Sequence, residues 1–81
     1  MVDVAKIEAE MKNLGIKKTV MAEKCGMTRP TLNKRLAHPE SITVSDAKNM
    51  ARSLRIDENS AKFMEIFFAP DVEENVNKEG R

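Results

Sequence analysis

The sequence predicts an all-α protein, a compact bundle of five short helices, and three observations predict it. The chain has three Phe, no Trp and no Tyr, so its apolar content is mainly Ala, Val, Ile, Leu and Met, residues that suit helical cores better than a β-sandwich. Apolar positions recur at three- and four-residue steps instead of alternating. Gly15, Gly26, Pro39 and Pro70 fall between those periodic runs and punctuate them. Eighty-one residues can bury one core, so 1–69 is expected to form a single domain. Residues 70–81 read as an acidic, flexible tail.

Asp3 can cap a first helix over about 4–14, with Val4, Ile7, Met11 and Leu14 on one stripe and Gly15 as its stop. Ile16 is placed to fold back on its end. Lys18 to Cys25 forms a second helix with Met21, Ala22 and Cys25 on one side, ended by Gly26. Thr28 is the expected N-cap of a third helix, where Pro30 is tolerated because the first turn has no use for its amide hydrogen. Leu32 and Leu36 mark its buried side. Ala37 to Ser41 reads as a loop, since the residue before Pro39 is pushed out of helical geometry. Thr43 caps a fourth helix with Asp46 in its first turn and Val44, Ala47, Met50, Ala51 and Leu54 as its stripe. Asp57 is expected to cap a fifth helix reaching Phe68. Its Ala61, Phe63, Met64, Ile66, Phe67 and Phe68 spread too widely for one narrow face. Beyond Pro70 only Val72 and Val76 are apolar, so the tail is expected to be frayed.

The net charge of +1 hides an uneven distribution. From Lys12 to His38, seven cations (Lys12, Lys17, Lys18, Lys24, Arg29, Lys34 and Arg35) face the single acid Glu23, a local charge of +6. From Asp57 to Arg81, seven acids against three cations leave −4. A basic centre suits a polyanion or a solvated face, and charge alone does not choose. Cys25 is the only cysteine, so no intramolecular disulfide forms, and no stretch reads as a leader or membrane span. The expected location is the cytoplasm, with no membrane partner.

The turn Cys25-Gly26-Met27-Thr28 joins two short helices and imposes size demands that the sequence meets. Ala22 is small where the helices cross, Gly26 can take the left-handed conformation that reverses the chain, and Met27 and Leu32 reach a shared core. The unit from Lys18 to Leu36 therefore has helix-turn-helix spacing. The stretch Ile16–Thr28 (IKKTVMAEKCGMT), with Thr31–Leu36 (TLNKRL), resembles the second helix, turn and recognition helix of the lambda-repressor-like, Cro-type family of phage and bacterial DNA-binding regulators. The run Pro39–Asp46 (PESITVSD) with Met50–Leu54 (MARSL) is similar to the loop and fourth helix of small prophage members. The resemblance covers about residues 3–68. It departs at Lys17, where the family usually has a small hydroxyl residue, at Lys18, often a glutamine, and at Arg35, commonly apolar. The stem of Arg35 is expected to cover the core edge while its guanidinium reaches solvent or backbone.

The resemblance implies a lambda-repressor-like domain that inserts its third helix, about 28–36, into the major groove of a double-stranded DNA operator, as a phage-type repressor does. With Leu32 and Leu36 turned inward, steps of about 100° place Arg29, Pro30, Asn33 and Lys34 outward. Arginine matches the two acceptors of guanine and asparagine the acceptor and donor of adenine, so Arg29 and Asn33 are the main base-reading candidates. Pro30 can offer only an apolar contact, and Lys34 serves base or phosphate. Thr28 and Thr31 are phosphate candidates, Thr28 alternatively a plain cap, and Lys17 and Lys18 are phosphate candidates on the second helix. The surplus of Phe63, Ile66, Phe67 and Phe68 on the fifth helix supplies either a homodimer surface or the last part of the monomer core. An alternative reading keeps the helix-turn-helix shape for protein interaction alone, as in an antirepressor or an antitoxin subunit. Cys25 is expected to pack without reacting, and His38 has no second His or Cys at zinc spacing. No cofactor, metal site or catalytic set is expected.

Overall fold

The computed structural model describes residues 1–69; the tail expected at 70–81 lies outside the described residues. Five helices form, α1 (Val4–Leu14), α2 (Lys18–Lys24), α3 (Arg29–Ala37), α4 (Val44–Ser53) and α5 (Ala61–Phe67), with a 3-10 turn at Pro39–Ser41 and no strand among the described residues. Local chemistry sets most starts. The carboxylate of Asp3 accepts from the Lys6 amide at 3.2 Å, and Thr28 Oγ1 accepts from the Thr31 amide at 3.3 Å. Thr43 and Asp46 form a reciprocal capping box, the Thr43 hydroxyl taking the Asp46 amide at 3.0 Å and Asp46 Oδ2 taking the Thr43 amide at 3.2 Å. Lys17 offers no side-chain cap to α2.

Three helices end in the same way. After α1, α2 and α4 the chain turns through a left-handed residue, Gly15 (φ 69°), Gly26 (φ 71°) and Arg55 (φ 60°). The next amide then bonds back to the last turn: Ile16 to Met11 O at 2.9 Å, Met27 to Ala22 O at 2.9 Å, Ile56 to Ala51 O at 2.8 Å. Each closure delivers an apolar side chain, Ile16, Met27 or Ile56, to the core. Glycine takes this conformation freely, whereas Arg55 carries a Cβ into it at a cost of about 1–2 kcal/mol.

The start of α5 corrects the expectation from sequence. Asp57 spends its carboxylate on the Asn59 amide at 2.8 Å and its carbonyl on the Ser60 hydroxyl at 2.6 Å, closing a turn. Ser60 is the cap, accepting from the Phe63 amide at 3.1 Å, and α5 runs only to Phe67. Both residues are good caps, and the turn decides which is used.

Each helix gives one large, fully buried side chain to the centre: Ile7, Met21, Leu32, Met50 and Ile66. Helix α2 packs on both α3 and α4, and α5 lies along α1. Phe63, Ile66 and Phe67 are buried in this same core at 4 %, 2 % and 2 % exposure, with the Phe63 and Phe67 rings 5.1 Å apart. A homodimer surface therefore cannot be built on these three. Of the apolar residues on α5 and at its C-cap, only Met64 and Phe68, with the small Ala61, remain as an exposed strip. The helix is further tied to the N-terminal segment by the Asp3 amide on Ile66 O at 2.7 Å. Two ion pairs join it to α1, Lys6 Nζ to Glu65 Oε2 at 2.7 Å and Lys62 Nζ to Glu10 Oε2 at 2.8 Å. No helix among the described residues is long and apolar enough to cross a membrane.

Candidate nucleic-acid interface

The turn at Gly26 presents α3 with Leu32 and Leu36 against the core and the opposite side in solvent. Arg29, Pro30, Asn33 and Lys34 are all exposed on that side, and Pro30 sits in the first turn where its missing amide hydrogen costs nothing. The structure thus brings together the four outward residues the helical spacing indicates. Thr28 and Thr31 lie at the leading edge. Besides accepting the Thr31 amide, the Thr28 hydroxyl donates to Thr31 Oγ1 at 3.0 Å. Thr28 is a cap with its one proton engaged, which leaves the Thr31 hydroxyl proton as the free donor at this edge.

The cations divide into paired and unpaired sets. Lys18 Nζ is 3.8 Å from Glu8 Oε2 on α1, so part of its charge is answered within the fold, while Lys17 is exposed and has no acidic partner among the described residues. Among the described residues Lys12, Lys24, Arg29 and Lys34 also lack an acidic partner. The described lysines outside the basic segment are all paired, Lys6 and Lys62 as above and Lys48 with Glu58 at 4.0 Å. Among the described residues, unanswered lysine charge therefore lies between Lys12 and Lys34, with Arg29 and Asn33 exposed within it; outside that segment Arg52 and Arg55 also lack an acidic partner.

Arg35 behaves differently from the expected edge residue. Its Nε lies 3.4 Å from Asp46 Oδ2, joining the end of α3 to the start of α4. Sequence reasoning sees Asp46 only as a first-turn acid, because nothing local connects it to a residue eleven positions earlier. His38 is exposed with Nδ1 3.5 Å from Glu40 Oε2, beside the 3-10 turn.

The other chemistry-bearing residues do not assemble. Cys25 is half-buried with its Sγ 3.9 Å from Ser53 Oγ, and burial pushes its thiol up, away from the reactive thiolate. Among the described residues no group of three His, Cys, Asp or Glu stands close enough to hold a metal. Two open hollows, of about 260 and 250 Å³, are lined by Lys6, Glu10, Lys62 and Glu65 and by Lys48, Arg52, Asp57 and Glu58. Ala9 and Ile66 also line the first and Ile56 the second, and neither includes a residue of α3. Comparison with models of known protein families, with characterised proteins and with solved structures finds no match for this chain.

Proposed function

We propose that this chain is a sequence-specific double-stranded DNA-binding transcriptional regulator of the lambda-repressor-like, phage-repressor type, with α3 as the helix that enters the major groove. The observation that carries the reading is the outward face of α3: Arg29 and Asn33 exposed, Lys34 beside them, and no acidic partner for either cation among the described residues. A helix fits the major groove, and Arg29 on guanine and Asn33 on adenine would each contribute about 1–3 kcal/mol of base discrimination. Thr31 supplies a hydroxyl and Lys17 an ammonium to phosphate, which positions the helix without reading sequence. Lys18 has part of its charge answered by Glu8 and is the weaker phosphate candidate of the two lysines.

Selecting bound fragments from a random duplex pool tests the proposal, with enrichment of a defined half-site as the expected result. Titration of that duplex at several salt concentrations should give a log–log slope of about −3.6 if Lys12, Lys17, Lys24 and Lys34, the lysines of the basic segment without an acidic partner among the described residues, each neutralise one phosphate. Affinity that ignores salt, together with an unenriched pool, overturns the reading. If Arg29→Ala with Asn33→Ala leaves binding intact, the fold serves protein interaction instead.

The strip of Met64 and Phe68, 55 % and 45 % exposed, favours a second element of the proposal, pairing of two copies through α5. Two half-exposed side chains fall far short of the ~800 Å² that each partner of a stable interface buries. Pairing is accordingly weak in free solution and shows as cooperative binding to two adjacent half-sites. Phe68→Glu removes that cooperativity and leaves single-site affinity unchanged.

A further inference from the structure

We infer that Arg35 is a positioning residue, an ionic latch to Asp46 that holds the C-terminal turn of α3 against the start of α4 and so sets the angle at which α3 presents Arg29, Asn33 and Lys34. The inference rests on the DNA-binding reading for its use and on geometry for its existence. Helices α3 and α4 each pack chiefly on α2, so the pair spans two helices where direct apolar packing is thin. Asp46 is a fixed counter-charge, because the capping box holds it at two points, its Oδ2 on the Thr43 amide at 3.2 Å and its own amide on Thr43 Oγ1 at 3.0 Å. Arg35 Nε is buried and makes no hydrogen bond among the described residues, and it faces Asp46 Oδ2 at 3.4 Å. A buried guanidinium N–H without a hydrogen bond is retained where an opposite charge compensates it, and losing that charge leaves it uncompensated. Arg35 is also flanked by Lys34, outward, and Leu36, in the core, so movement of its turn moves both. Because Asp46 faces its Nε, Arg35 is not counted among the unanswered cations of the basic segment.

The test uses Asp46→Asn, which keeps an acceptor for the Thr43 amide and removes the charge, with Arg35→Leu, Arg35→Lys and the Asp46→Asn/Arg35→Leu pair. In the absence of DNA, hydrogen exchange at Leu36, Ala37 and His38 is expected to accelerate about tenfold in Asp46→Asn while the amides of α1 and α5 keep their rates. On the selected duplex, Asp46→Asn and Arg35→Leu should each weaken binding about 5- to 30-fold, the double variant no more than the worse single one, with an unchanged salt slope. Arg35→Lys should recover part of the affinity. The inference is overturned if exchange rises equally in every helix, which marks a purely global stability effect, or if it does not rise at all. It is likewise overturned if Arg35→Leu lowers the salt slope by about one while Asp46→Asn tightens binding, since Arg35 is then itself the phosphate contact. Wild type that binds no duplex refutes the DNA reading and removes the latch's use, while the exchange result separately shows whether the latch orders α3.

Discussion

Where α1 meets α5, Lys6 finds Glu65 at 2.7 Å and Lys62 finds Glu10 at 2.8 Å, whereas on α3 neither Arg29 nor Lys34 has an acid to meet among the described residues. Both surfaces are exposed, so solvent screens both, and the contrast lies in what each accomplishes. The α1–α5 pairs are reciprocal, each helix giving one cation and one acid, and they are compatible with the register in which Phe63, Ile66 and Phe67 enter the core. Exposed pairs add little to stability, but opposed charges disfavour the wrong alignment. The α3 face leaves its charge unanswered, an arrangement that raises self-repulsion and suits an external polyanion. One surface is completed by the fold; in the proposed reading, the other is completed by DNA.

Breaking the first surface from beneath should have the largest effect. Phe67→Ala empties a buried site and is expected to cost about 3–5 kcal/mol, a large share of what a domain this small has, with loss of cooperative thermal unfolding. A Phe67→Ala variant that keeps the wild-type melting temperature and loses only cooperative binding to adjacent half-sites would return Phe67 to an interface role. Next, Arg29→Ala should leave the melting temperature within error and weaken binding to the selected duplex by about 10- to 100-fold, with relaxed preference at one base position, measured by fluorescence anisotropy. A uniform loss across all sequences would make Arg29 a phosphate contact. A substitution outside both surfaces, Arg55→Gly, relieves the left-handed strain after α4 and should stabilise by about 1 kcal/mol, roughly 4–8 °C, without changing affinity. It shows whether stability and binding separate as the two surfaces do.

The smallest effect concerns pH. The hydrogen bond and charge of Lys6 hold the Glu65 carboxyl below the usual carboxylate range, and the same contact raises Lys6. The Glu65 contribution is therefore complete above the ordinary carboxylate range and is lost as pH falls through its lowered value. The Lys6 contribution is complete below the ordinary lysine range and is lost as pH rises through its raised value. Glu65→Gln should slightly flatten the acid-side fall in melting temperature and leave α3 and its affinity untouched. An equal loss of affinity would mean that the two surfaces are coupled.

Much of the scaffold was legible because its signals are local. Asp3, Thr28 and Thr43 with Asp46 cap through hydrogen bonds three residues long, and Gly15 and Gly26 turn the chain with their own backbone freedom. The inward Leu32 and Leu36 followed from helical spacing, and with them the exposed side of Arg29, Pro30, Asn33 and Lys34. The fifth helix was harder. Asp57 and Ser60 are both good caps, and six apolar residues on a short helix do not say which are buried. The partners of Lys18 and Arg35 are not visible from the sequence, because Glu8 and Asp46 each lie on a different helix from the cation they meet.

For α1 to α4 the sequence by itself determined, to within a residue or so, where the helices begin and end and which side of each is apolar, since those depend on neighbours within about four positions; for α5 it left both the cap and the buried side open. Only the tertiary structure decided that Phe63, Ile66 and Phe67 close the monomer core, that Lys6 meets Glu65 fifty-nine residues away, and that Asp46 holds Arg35. Those contacts depend on which helices lie side by side, and they arise from burying all five apolar stripes at once rather than from any one stretch of chain.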